Sequence, residues 1–368
     1  MLIRAQQMLT PDGLADSGWV EITGQRVTAW GHGATTPGTP DLALDGLVSP
    51  GFVDVHSHGG GGANFDDGLA AARTALAAHL AHGTTTMIAS LVTGTLDDME
   101  ASIRALTPLV TAGELAGLHL EGPWLAPDYK GAHDEAMLRE PELAEVERLA
   151  TAGPVRLVTI APERPGALPA IAWLAAHGVV AAVGHTAADD TCTRAAIAAG
   201  ATGATHLFNA MPDLLHRAPG PALPLWASPD VWVELICDGV HVAPDLVAHV
   251  MATKPRRCVL ITDAMAAAGA ADGDYHLGGL TVEVRAGVAR LAGRSTIAGS
   301  TLTLDQAVRV AVAAGVPLEV ALRAATCQPA DYLGLPDVGR LAEGYFADLV
   351  VLDDALCVQK VMRRGQWA

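Results

Sequence analysis

Six side chains able to hold a divalent cation stand where short β-branched runs of this 368-residue chain end. The run that starts at Leu47 closes on Asp54-Val55-His56-Ser57-His58, and the run over 115–122 closes on His119-Leu120-Glu121. Later runs close on His185, on His206 and on Asp263, and another ends at Asp238 with His241 just beyond. His56, His58, Glu121, His185, His206 and Asp263 offer imidazole nitrogen and carboxylate oxygen, a donor set suited to Zn²⁺, Fe²⁺ or Mn²⁺. His56 and His58 are two residues apart, so on extended backbone both face the same side. Each residue also has an ordinary reading. A single histidine at a strand end is more often structural, Glu121 could cap the next helix, and Asp263 could sit in a turn. Their joint placement at run ends makes a metal centre the expectation. A cation there lowers the pKa of its water and polarises a carbonyl, which is the chemistry of hydrolysis. His79, His82, His177 and His249 fall in helical stretches and read as surface or packing residues. His32 and His276 receive no role.

The elements that must position these groups follow from the pattern around them. Candidate strands lie at 47–56, 84–92, 115–122, 155–162, 179–186, 204–211, 231–239 and 258–265, with helical stretches at 68–82, 95–112, 141–152, 167–177, 189–199 and 244–253. Strands alternating with helices predict a parallel sheet. Eight units over about 220 residues match a (β/α)8 TIM barrel, whose active sites lie at the C-terminal strand ends. A doubly wound open sheet is the alternative. Residues 1–47 read as short strands, and so does the stretch from Ala347 to Ala368. These termini are expected to form one small β-sandwich domain (1–47 with 331–368) interrupted by the barrel (48–330), since strand edges need partners. A hairpin near 280–293 and helices at 303–314 and 317–326 follow the eighth unit.

Composition narrows the function. With 23 Lys and Arg against 40 Asp and Glu, the net charge is −17, which opposes binding to nucleic acid or to anionic membranes. No run reaches the ~18 apolar residues of a membrane helix, and the N-terminus MLIRAQQMLT lacks the apolar core of a secretion signal. Five scattered cysteines, none spaced as CxxC, fit reduced thiols in the cytoplasm.

An HxH after strand one, histidines after strands five and six, and an aspartate after strand eight resemble the amidohydrolase superfamily. Many members use a carboxylated lysine after strand four, which this chain lacks. Its Glu121, in HLEGPW, is instead similar to the arrangement in the N-acetylglucosamine-6-phosphate deacetylases. Further motifs resemble that group in order: PGFVDVHSHG, KGAH (130–133), GHTAAD (184–189), THLFNAM (205–211), RAPG (217–220), DGVHV (238–242), ITDAM (261–265) and AGSTLTL (298–304). The resemblance covers residues 50–304. It implies a metal site of Glu121, His185 and His206, a second one reached by His56 and His58, and Asp263 as catalytic acid–base. It also implies substrate contacts at Ala132, His133, Asn209, Ala210, Arg217, Asp238, His241, Ile297, Ala298 and Gly299. The substrate implied is a phosphorylated N-acetyl amino sugar. The equivalent of Arg217 reaches the neighbouring subunit's site, so a homodimer is implied. Phe208 stands where relatives often carry tyrosine. The alternatives are another amidohydrolase, acting on an N-acetylgalactosamine phosphate, a cyclic amide or a dipeptide, or a barrel that has lost catalysis.

Overall fold

Thr84–Val92 is buried over eight consecutive residues, which a strand sustains only when both faces are covered. The computed structural model, which describes residues 1–33 and 35–368, places this strand in a parallel eight-stranded sheet. In order around the barrel its strands are Phe52–Asp54, Thr84–Val92, Gly117–Glu121, Val155–Ile160, Val180–Val183, Gly203–Ala204, Trp232–Ile236 and Cys258–Ile261. The first and last meet just beyond their ends. The Asp263 N–H donates to the His56 carbonyl at 2.8 Å, and Ser57 bridges to Ala264. The fold class is therefore a TIM barrel, as the alternation predicts, and the doubly wound sheet is excluded.

A helix follows each strand: Leu69–Ala81, Leu96–Thr111, Leu143–Thr151, Ala167–Ala176, Asp190–Ala198, Ala222–Ala227, Pro244–Thr253 and Leu304–Ala313. Their inward faces obey the helical period. Met99, Ile103, Leu106 and Leu109 are buried on the second helix while its other residues face outward. Thr95 and Asp189 cap two of them by accepting the N–H of Asp98 and Cys192. The short sixth helix lies in the proline-rich stretch between Gly203–Ala204 and Trp232–Ile236. Two more α-helices, Leu318–Ala324 and Cys327–Tyr332, follow.

Two strand expectations are corrected. The run at 47–56 is two strands: Leu42–Pro50 belongs to the terminal sheet and only Phe52–Asp54 enters the barrel. The junction is Gly51, where an added Cβ would lie 2.2 Å from the Thr85 hydroxyl. The run at 204–211 is a strand only at Gly203–Ala204, because the backbone turns left-handed at His206, Phe208 and Ala210.

The termini share one mixed sheet. Leu2–Thr10 pairs with Leu42–Pro50, which pairs with Leu349–Leu352 from the far end of the chain. The sheet curls until its edge strand, Arg26–His32, meets residues 344–347 through Val27 and Ala347. Ile3, Met8, Val20, Val48, Leu349 and Met362 fill the space inside. The expected hairpin has a third strand: Gly273–Leu277 joins Leu280–Arg285 and Val288–Leu291. Among the described residues no helix is long and apolar enough to cross a membrane.

Candidate metal centre

Three of the six expected ligands, His185, His206 and Asp263, have left-handed backbone, with φ of 47°, 29° and 48°. Such a conformation costs about 1–3 kcal/mol in a residue with a Cβ and collects at functional sites. Here it turns each side chain from the strand end into the barrel mouth. Ser300 fixes the Asp263 turn by donating its N–H to the Asp263 carbonyl at 2.8 Å.

The other five side chains converge around the Glu121 carboxylate. One oxygen, Oε1, lies 3.3 Å from His56 Nε2, 3.3 Å from His185 Nε2 and 3.2 Å from His206 Nε2. The other, Oε2, lies 3.1 Å from His58 Nε2 and 3.3 Å from His133 Nε2. Asp263 Oδ1 lies 3.4 Å from His56 Nε2 and 3.3 Å from His58 Nε2. These atoms form two ligand sets that share Glu121: His56, His58, Glu121 and Asp263, and Glu121, His185 and His206.

The hydrogen bonds behind the ligands test whether a cation fits. His185 Nδ1–H donates to the Tyr129 carbonyl at 2.9 Å, so its Nε2 presents a lone pair. That lone pair faces His206 Nε2 at 3.0 Å and a carboxylate oxygen. His56 Nδ1–H donates to Glu234 Oε2 at 3.1 Å. Its Nε2 is buried without a hydrogen-bond partner and faces the oxygens of Glu121 and Asp263. Acceptors packed this closely repel one another unless positive charge sits among them. A divalent cation would supply it, and the donors fit Zn²⁺, Fe²⁺ or Mn²⁺.

Protonation follows the same field. Burial works against a charged imidazole at His56 and His58. The Glu121 and Asp263 carboxylates outweigh it, taking His56 well above the usual range and His58 to about 9. Burial works against the Asp263 anion too, but His56 and His58 hold its carboxyl well below the usual range. His119 differs. Ser90 Oγ at 2.9 Å and Thr159 Oγ1 at 2.8 Å occupy its two nitrogens, and burial drives it well below the ordinary histidine value. It is a core residue beneath the ligands.

Above the ligands opens a cavity of about 580 Å³, within the range of small-molecule sites. Ala132, His133, Asn209, Ala210, His241, Ile297 and Gly299 line it with the ligands. Burial takes His133 down to about 4, so it is neutral. Its Nδ1 meets the Thr93 N–H at 3.4 Å and the Thr93 hydroxyl at 2.9 Å, and its Nε2 lies 3.3 Å from Glu121 Oε2.

Three expected contact residues stand elsewhere. Asp238 lies behind the wall: its carboxylate accepts the N–H of Val240 and His241 at 2.8 Å and holds His241 Nδ1 at 2.6 Å. Burial opposes a charged His241, but Asp238 raises its pKa. Ala298 is fully buried under the three-stranded sheet. Arg217 is exposed on a loop and does not line the cavity; Leu214 and Leu215 on the same loop are 42% and 56% exposed. Lys130 and Arg294, which carried no assignment, line the cavity instead. Lys130 was visible in KGAH as one of three lysines. Arg294 follows the last strand of the three-stranded sheet. Glu234 also escaped notice, since it sits mid-strand.

The sequence profile of the amidohydrolase family matches residues 47–368. A mutant N-acetyl-D-glucosamine-6-phosphate deacetylase from Mycobacterium smegmatis, solved with N-acetyl-D-glucosamine-6-phosphate, is 52% identical. It superposes with a TM-score of 0.97 over 100% of this chain and 98% of its own. The human N-acetylglucosamine-6-phosphate deacetylase is 38% identical over 87% of this chain and 83% of its own. An N-acetylgalactosamine-6-phosphate deacetylase from Escherichia coli O157:H7 is 37% identical over 100% of this chain and 99% of its own. The fold, the two ligand sets sharing Glu121 and these likenesses agree: the chain belongs to the amidohydrolase family, among its N-acetylglucosamine-6-phosphate deacetylases.

Proposed function

We propose that this protein hydrolyses the acetamide of N-acetyl-D-glucosamine 6-phosphate, giving D-glucosamine 6-phosphate and acetate, in amino-sugar metabolism. The observation that carries this reading is the pair of ligand sets on Glu121 at the floor of the cavity, in a chain 52% identical to a structure solved with that sugar phosphate. The galacto epimer is the second reading, favoured by the relative that aligns over the whole chain. The test is acetate release from phosphorylated and unphosphorylated N-acetyl sugars of both epimers. Release from none of the phosphorylated sugars would refute the proposal.

In the mechanism, His56, His58, Glu121, His185, His206 and Asp263 would hold one or two divalent cations, which would supply hydroxide at neutral pH and an electrophile for the acetyl carbonyl. Asp263 accepts a proton from the attacking water and returns it to the departing nitrogen, because its ionised carboxylate lines the cavity at the edge of its ligand set, beside the other set. His133 Nε2–H donates to the carbonyl oxygen as it gains charge, a term typically worth ~3–4 kcal/mol. Glu121 is occupied as a ligand and is a poor base. His58 and His56 make the second cation site. In the double variant His56→Gln, His58→Asn we expect metal bound per chain to halve while measurable activity persists. An unchanged content of one metal before and after would remove the second site from the reading.

The phosphate is held by His241, by backbone N–H groups near Asn209 and Ala210, and by Arg217 of a neighbouring subunit in a homodimer. The dimer reading is supported by the loop that exposes Leu214, Leu215 and Arg217 together. Asp238 positions His241. Ile297, Gly299 and Ala132 line the cavity, and Ala298 packs behind them. Replacing Arg217 with alanine should raise KM for the phosphorylated sugar about tenfold or more, since a charge-assisted contact contributes ~1.5–3 kcal/mol. An unphosphorylated analogue should be affected little, and equal changes for both would dismiss Arg217 as the phosphate reader. Five unpaired thiols support placement in the reducing cytoplasm.

A further inference from the structure

Beneath the two ligand sets the barrel interior holds another carboxylate. Glu234, on the strand Trp232–Ile236, is 0% exposed. Its Oε2 accepts the His56 Nδ1–H at 3.1 Å, and its Oε1 accepts the Tyr332 hydroxyl at 3.3 Å. A longer contact of 3.4 Å joins it to the main-chain N–H of His206. Its one partner able to carry positive charge among the described residues is His56. Tyr332 reaches it from the last helix, past Gly203. An added Cβ at Gly203 would lie 2.1 Å from the tyrosine oxygen, so the glycine keeps that path open.

A carboxylate this deep is costly unless it is hydrogen-bonded and balanced by positive charge. Here the balance can come only through the His56 ring, whose far nitrogen faces Glu121 and Asp263. The converse also holds. With its proton fixed on Nδ1, His56 turns a lone pair, made more basic by the carboxylate, toward the ligand set. The other histidines lack this arrangement. His58 Nδ1 and His206 Nδ1 have no partner, and His185 is oriented by a neutral carbonyl. Support from a buried carboxylate therefore reaches one half of the centre.

We infer that Glu234, steadied by Tyr332, is the positioning residue that makes the His56–His58 half of the centre a full-affinity cation site. It thereby decides whether this chain holds one divalent cation or two. The inference rests on the two-site reading above.

The experiment is titration of metal-stripped, full-length protein with Zn²⁺, followed by calorimetry and by metal analysis after dialysis. Wild type should take two equivalents. In Glu234→Gln the first equivalent should bind within about threefold of wild type, while the second weakens about 10–100-fold, the usual scale for loss of a ligand's hydrogen-bond partner. Tyr332→Phe removes only a hydroxyl and should weaken the second equivalent about 3–10-fold. If Glu234→Gln does not fold, as circular dichroism would reveal, Tyr332→Phe carries the test. The inference is overturned if the folded variants keep the wild-type second affinity, or if both equivalents weaken alike. A wild type that takes one equivalent overturns it as well, and in that case the two-site reading fails with it.

Discussion

Stripping the divalent cation with a chelator is expected to take acetate release below detection, and adding Zn²⁺ or Mn²⁺ back should restore it. The size of the effect follows from the nucleophile. Bulk water has a pKa of 15.7, and a bound cation brings it to about 7. The ionised fraction at neutral pH thus differs by roughly eight orders of magnitude. No side chain in the cavity replaces this: His133 is held neutral near 4, and the thiols of Cys237 and Cys258 are buried. The pH dependence of loading has a definite sign. In the metal-free chain His58 is raised to about 9 and His56 well above its usual value, so both carry protons at pH 7. Cation binding must expel those protons. Affinity should therefore rise with pH up to about 9 and fall on acidification. Metal-buffered titrations at several pH values measure this, while full activity in a verified metal-free sample would refute the role of the cation.

The barrel was legible because its strands are short, β-branched and spaced by helices with clear periodicity. Where the sequence misled, a local backbone feature intervened. Leu47 and Phe52 both continue one apolar run, but Gly51 lets the chain leave one sheet and enter another. His206, Phe208 and Ala210 adopt left-handed φ, so a stretch that looks extended is a turn. Nothing in those residue types announces this, because left-handed backbone there is imposed by the site and offset by its surroundings. The shared sheet of the two termini was visible only as a need for partners, not as a register.

The site divides in the same way. His56, His58, Glu121, His185, His206 and Asp263 stand at strand ends, and barrel geometry alone brings strand ends together. Residues whose part depends on loops were harder to place. Ala298 and Asp238 neighbour lining residues in sequence, yet one packs into the core and the other stands behind His241. Arg217, exposed on its loop, does not line its own cavity. Glu234 was invisible because a lone glutamate within VWVELICDG offers no pattern. Its meaning lies in a 3.1 Å contact with a histidine 178 positions away.

Asp263→Asn should lower kcat by at least ~10²-fold while leaving the fold intact. The substitution changes one atom and keeps the volume, so the Asp263 N–H to His56 carbonyl bond and the Ser300 N–H bond to its own carbonyl can persist. What it removes is the anionic oxygen 3.4 Å and 3.3 Å from the two histidines of the HxH pair. An amide cannot take the proton of the attacking water, and without that proton the departing nitrogen leaves as an unprotonated amide anion. Both halves of the transfer fail together, so the loss should fall on kcat far more than on KM. The cation held by Glu121, His185 and His206 does not use Asp263 and should stay bound. Kinetics and metal analysis on one preparation therefore separate the roles. Low kcat with that cation retained marks Asp263 as the proton carrier. A near-native rate would reduce it to a ligand or a structural residue. Loss of all metal would mean that the two ligand sets do not bind independently, and the division of labour between Asp263 and Glu121 would have to be redrawn.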